Sequence, residues 1–143
     1  MFDIAVCGEG SGGFVRALKE ALRRRGALAR VIEGMPADEP DVLVCLSAPR
    51  RGASARVIIA EGDAACGTLS SCRAGQIVTC GLSSRDTVTP SSTLRGGLAA
   101  LQRELTTLSG GVAEPRELDL SALNGAIEQK MMLAAALLLL DAF

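Results

Sequence analysis

Short apolar runs alternate with polar stretches along this chain. Ile4 to Cys7, Ala29 to Ile32, Val42 to Leu46, Arg56 to Ala60 and Gln76 to Cys80 are rich in Val, Ile and Ala. Runs of that length without strict polar alternation read as strands buried on both faces, as in a parallel sheet. Between the first two, Val15, Leu18 and Leu22 recur at helical spacing with Ala17 and Ala21 beside them, while Arg16, Lys19, Glu20, Arg23 and Arg24 fall on the other side. This predicts an amphipathic helix opening near Phe14 and ending at Gly26. Strand, helix and strand in that order predict an α/β domain with a mainly parallel sheet in three layers.

The later connections are shorter. Nine residues separate Leu46 from Arg56, fewer than the ~10–12 that a full crossover with its helix takes. One helix there is a single turn or missing. Beyond Cys80 the stretch from Leu82 to Arg95 is rich in Ser and Thr, Gly96 and Gly97 punctuate it, and Gly110-Gly111 sits between two segments able to form a C-terminal β-hairpin. The last element, Ser121 to Asp141, reads as a helix that becomes apolar on all sides through Met131, Met132, Leu133, Leu137, Leu138, Leu139 and Leu140. Such a helix must be covered by the sheet and either by the hairpin or by a second subunit.

Length and composition narrow the function. The 143 residues make one domain, 1–143, large enough for a core without metals or disulfides. With three Phe and no Tyr or Trp, the core rests on aliphatic residues, and base stacking on aromatic rings is excluded. Fifteen basic against sixteen acidic residues remove the long-range attraction behind nonspecific nucleic-acid or anionic-membrane binding. Histidine is absent, which rules out a Ser/His or Cys/His pair, a His base and a His-containing zinc site. The five cysteines (Cys7, Cys45, Cys66, Cys72, Cys80) show no Cys-x-x-Cys spacing, so a reducing cytoplasm is expected. No basic segment precedes an apolar stretch at the start, and Met131 to Leu140 is too short to span a bilayer.

The candidate chemistry centres on Cys7-Gly8-Glu9-Gly10-Ser11-Gly12-Gly13, between the first strand and the first helix. Two readings stand: a tight turn without ligand, or a loop whose backbone N–H groups at the helix N-terminus bind a nucleotide phosphate or another anion. The loop lacks the Lys-[Ser/Thr] pair of a working P-loop, and the Glu9 carboxylate opposes a phosphate. Arg50 and Arg51, just past the third strand, would restore positive charge, or are simply solvated. Asp86, within the polar run from Ser83 to Ser92, would join a ligand beside the glycine loop, or the run satisfies its own backbone. Cys7, Cys45 and Cys80 each close a strand, which would gather thiols at one sheet edge for redox or metal-thiolate chemistry; packing as small apolar side chains is the simpler reading.

The order of these segments resembles the central, ATP-binding domain of the Mur ligase family, the peptidoglycan-precursor and folylpolyglutamate type ligases, at about half its usual size. Where the family runs from a strand through Thr-Gly-Thr-Asn-Gly-Lys-Thr-Thr into a helix, this chain has Ile4-Ala5-Val6-Cys7-Gly8-Glu9-Gly10-Ser11-Gly12-Gly13. The phosphate-binding Lys and its Thr are replaced at about Gly12 and Gly13. The strand that bears a Mg²⁺-binding Glu in the family is similar to Val42 to Ser47, with Val44 or Cys45 at that place. The strand leading to Asn-x-Asp-Asp is similar to Val57 to Asp63, and the next to Gln76 to Gly81. The family's Gly-x-His-Asn-x-x-Asn-Ala-x-Ala-Ala is similar to Gly125 to Ala135, with Ile127, Glu128 and Met131 in place of polar residues.

The resemblance implies a Rossmann- or P-loop-like fold, and its departures imply lost ligation, since the Lys and the metal carboxylate neutralise charge on the transferred phosphoryl group. The leading expectation is therefore a non-catalytic relic domain without a cofactor, acting by self-association through the final helix or with a protein partner. The alternative is a small nucleotide- or phosphate-binding module using Gly8 to Gly13 with Arg50, Arg51 or Asp86. An enzyme using Cys7 or Cys80 with Asp86 or Glu61 as acid or base is the weakest expectation, because no nucleophile and base are paired in sequence.

Overall fold

The computed structural model describes residues 1–48, 52–62 and 69–143. The chain runs β1 (Phe2–Cys7), α1 (Ser11–Arg24), β2 (Ala29–Glu33), β3 (Val42–Cys45), β4 (Ser54–Glu61) and β5 (Arg73–Cys80). It continues through β6 (Val88–Ser92), β7 (Leu98–Leu101), β8 (Leu105–Thr106), β9 (Val112–Ala113), β10 (Arg116–Asp119) and α2 (Ile127–Leu139). All five strands expected from the apolar runs form, and they lie parallel in the order β2-β1-β3-β4-β5. This is an α/β fold with a mostly parallel sheet.

Helix α1 forms as its periodicity predicts: Phe14, Val15, Leu18, Ala21 and Leu22 are buried, while Glu20 pairs with Arg23 and Arg24 at 2.8 and 2.9 Å on the solvent side. Such exposed pairs add little stability. The helix closes by Gly26 N–H to the Arg23 carbonyl and Ala27 N–H to that of Leu22, the paired bonds of a Schellman ending, and the Arg25 side chain donates to the Ala21 carbonyl at 3.2 Å.

Among the described residues two of the expected three layers are seen, because both helices lie on one face of the sheet. Ile4, Val6, Val42, Val44, Val57 and Ile59 pack against α1 and α2 together, and the two helices touch each other. On the opposite face Ala5, Leu43, Cys45, Ile58 and Ala60 pack against Cys7, Leu69, Cys72 and Ala74, with a single 3₁₀ turn at Leu69–Ser71 and no longer helix among the described residues. Residues 34–41 and 46–53 are each too short to carry a helix across the sheet.

Helix α2 starts at Ile127, six residues later than expected. Residues 121–126 form turns instead, beginning with the Leu123 N–H to Leu120 carbonyl bond. From Met131 to Leu139 every side chain is buried, under β4, β5, β6 and β8 and beside α1. Leu105 and Leu108 of the hairpin join that core, and Leu108 N–H donates to the Leu139 carbonyl at 2.8 Å. The chain's own hairpin thus supplies the cover that the apolar helix requires. The hairpin is β8–β9, as Gly110-Gly111 suggested. No helix among the described residues is long and apolar enough to cross a membrane.

The polar run after Cys80 is only half loop. Val88 to Ser92 form β6, whose first residue pairs with the last of β5, Cys80↔Val88, in parallel. Strand β6 therefore runs on past the carboxyl end of β5. With antiparallel β7 and β10 beside it, it stands as a wall above that edge.

Candidate functional site

Strand β1 leads through α1 to β2 on one side and has β3 on the other. The carboxyl ends of β1 and β3 thus flank the point where the strand order reverses, the usual crevice for ligands in open α/β sheets. Here the crevice is filled from within. The Gly8 backbone lies against residue 47, so that a Cβ on Gly8 would come 2.7 Å from Ser47 N. Ser47 Oγ accepts the Glu9 N–H at 3.2 Å.

The positive end of α1 also has a resident carboxylate. Ser11 Oγ donates to Glu33 Oε1 at 3.1 Å, and the same oxygen lies 3.5 Å from where a Gly12 Cβ would sit. Glu33 is the last residue of β2, so the sheet order delivers it to the first turn of α1, where its charge meets the helix dipole. A phosphate at Gly12 and Gly13 would have to displace it.

The glycine loop, the ends of β3, β4 and β5, the β6 wall and the first turns of α2 enclose a cleft of about 310 Å³. Leu46, Leu82, Pro90, Met131 and Met132 give it apolar walls, and Glu9, Glu61 and Glu128 contribute carboxylates. No basic side chain lines it among the described residues. A wider hollow of about 810 Å³ lies at the amino-terminal ends of β4 and β5. Of its polar groups, Arg56 reaches Asp41 at 3.4 Å and the Leu108 carbonyl at 3.1 Å, and the Gln76 amide bonds both backbone groups of Thr106 at 2.9 Å, while Glu39 and Arg73 also line it. The carboxyl-edge cleft is the better candidate because its polar rim stands over apolar walls.

Of the candidate site residues singled out in the sequence, Glu9, Gly10, Glu61 and Cys80 line this cleft. Gly8 packs on residue 47, Ser11 and Gly12 face Glu33, and Gly13 continues the first turn of α1. Arg50 and Arg51 lie outside the described residues. Asp86 is buried in the β5–β6 loop and does not line the cleft. Its Oδ2 accepts the Ser83 N–H at 3.0 Å, and its carboxylate abuts Gly62 and Gly81 at the ends of β4 and β5. That is the backbone-satisfying role the polar run allowed.

The three strand-closing cysteines do not gather. Register sets Cys7 beside Cys45, Cys45 beside Ala60 and Ala60 beside Thr79. Cys80 is one residue beyond that row, and one step turns a side chain to the other face. It packs among the helix-facing residues, where burial, and then the nearby Asp86, push its thiol up to about 12. That is the wrong direction for a nucleophile.

The roles of Glu33 and Ser47 escaped sequence reasoning, because only the placement of β2 and β3 on either side of β1 gives them. No family model, curated protein or solved structure matches this chain.

Proposed function

We propose that this chain is a binding domain on a Mur ligase-like frame, whose carboxyl-edge cleft takes a small molecule with an apolar body and a neutral or positively charged polar group. The observation that carries this reading is the cleft itself: three carboxylates on its lining, apolar walls, and no basic side chain among the described residues. Like charges 4 Å apart repel by about 4 kcal/mol at an effective dielectric near 20, so a phosphate in this rim starts at a disadvantage. Glu33 adds to it by holding the helix terminus where a phosphate would dock.

The Mur ligase-like frame rests on the sequence resemblance. The segments that carry it fall in order at β1 with its loop and α1, at β3, β4 and β5, and at the turn into α2. The positions of the missing Lys and Glu hold Gly12 or Gly13 and the buried Val44 or Cys45. Self-association through the final helix loses its motive, because α2 is covered within the chain.

A thermal-shift screen tests the proposal, with ATP, ADP, GTP, UDP-sugars and phosphate, with and without Mg²⁺, against a panel of hydrophobic amines, guanidines and neutral amides. A ligand at 100 times its Kd stabilises by about 2.7 kcal/mol, a shift of several degrees. The expected result is a response to an amine, guanidine or amide that Glu61→Lys abolishes. A response confined to nucleotides overturns it and returns attention to Arg50 and Arg51.

A further inference from the structure

We infer that Cys7 and Cys45 form a vicinal dithiol, a site of two-electron oxidation to an intramolecular disulfide by a small disulfide compound. The two residues close β1 and β3 and stand directly opposite each other in the parallel register. Neighbouring strands lie about 4.8 Å apart, inside the Cα separation of about 4.4–6.8 Å that a disulfide spans. Both thiols belong to the sheet face opposite the helices, where Cys45 is buried and Cys7 packs against it half-buried.

The Cys7 side chain packs against the cluster that holds Cys45, and the neighbouring Cys7 thiol, followed by burial, pushes Cys45 well up from its ordinary value. Cys7 Sγ also approaches the Val44 carbonyl at 3.7 Å. Cys72 packs against the same cluster from the segment before β5, yet the described residues hold no group of three or more ligands fit for a metal ion. The register pair of thiols is what points to thiol–disulfide exchange.

The exchange runs in two steps. The Cys7 thiolate, the more accessible of the pair, attacks one sulfur of the small disulfide, forming a mixed disulfide and releasing one thiolate. Cys45, whose burial keeps it protonated and makes this the slow step, gives up its proton as its sulfur attacks Cys7 sulfur; the mixed bond breaks and the second thiolate leaves. The two protons of the protein thiols end on the two released thiols; the chain loses two electrons and the small disulfide gains them. The new bond ties together the ends of β1 and β3, one residue before Gly8 and two before Ser47.

The test uses the native full chain and oxidised glutathione. Intact-mass measurement is expected to show loss of two hydrogens without a retained glutathionyl group, and non-reducing peptide mapping a Cys7–Cys45 link. Cys45→Ala is expected to stop at a single glutathionyl adduct on Cys7, its fold checked by circular dichroism; should that variant unfold, the wild-type map alone decides. Wild-type chain that stops at the mixed disulfide overturns the inference. So does a link to Cys66 or Cys72, or no reaction while unfolded chain oxidises fully.

Discussion

Gly8→Ala isolates the close approach that shapes the glycine loop. Gly8 has φ +107°, and holding an L-residue with positive φ costs about 1–3 kcal/mol. The new Cβ would also lie 2.7 Å from Ser47 N and 3.2 Å from the Leu46 carbonyl carbon, backbone atoms that yield only if β3 moves. Overpacking of that kind costs about 1–3 kcal/mol, so the total is about 2–6 kcal/mol. Gly10→Ala is the control: its φ is +85° and nothing lies within 4 Å of its Cβ position, so it bears the conformational cost alone. With no Trp or Tyr in the chain, urea unfolding is followed by far-ultraviolet circular dichroism. At a urea m-value of about 2 kcal/mol/M, Gly8→Ala lowers the midpoint by roughly 1–3 M, and Gly10→Ala by clearly less. Ser47→Gly in the Gly8→Ala background restores only part of the loss, because the Ser47 amide remains in place. Equal losses in the two single variants, or full rescue by Ser47→Gly, would refute the argument.

The remaining predictions probe the helix cover, the helix terminus and the buried thiol. Leu133 is fully buried in α2, so Leu133→Ala costs about 2–5 kcal/mol; its urea midpoint is expected to be independent of protein concentration, as cover by the chain's own hairpin requires. Glu33→Gln removes the charge beside the α1 terminus and lowers stability by about 0.3–1 kcal/mol in low salt, a loss that shrinks as salt is added in parallel melts. Burial raises the Cys80 thiol from 9.0 to about 12, so above pH 9 the unfolded chain releases a proton that the folded chain keeps. The stability contributed by this group is intact below pH 9 and is lost as pH rises toward 12; melting temperatures followed across that window are expected to fall less steeply in Cys80→Ala than in the wild type.

Local pattern alone determined a good deal of this protein. The five apolar strands, α1 and the β8–β9 hairpin follow from periodicity and glycine placement, because each depends on neighbours within a few residues. Strands β6, β7 and β10 were not legible. Val88-Thr89-Pro90-Ser91-Ser92 and Arg116-Glu117-Leu118-Asp119 look polar, and pairing on either side of β7, beyond the end of β5, is what makes them strands. The layer count likewise depended on which face each connection crosses.

The candidate site divides along the same line. The glycine loop, its missing Lys and the Glu9 charge are written in consecutive residues. Glu33, Ser47 and Glu61 come to the edge that bears that loop through strand order, and Glu128 through the packing of α2, which bring residues dozens of positions apart to one end of the sheet. Sequence spaced Cys7, Cys45 and Cys80 alike at strand ends, yet a register offset of one residue separates Cys80 from the other two. Side-chain direction in a strand alternates at every residue, so the face on which a group reacts is a property of pairing between strands, and pairing exists only in the folded chain.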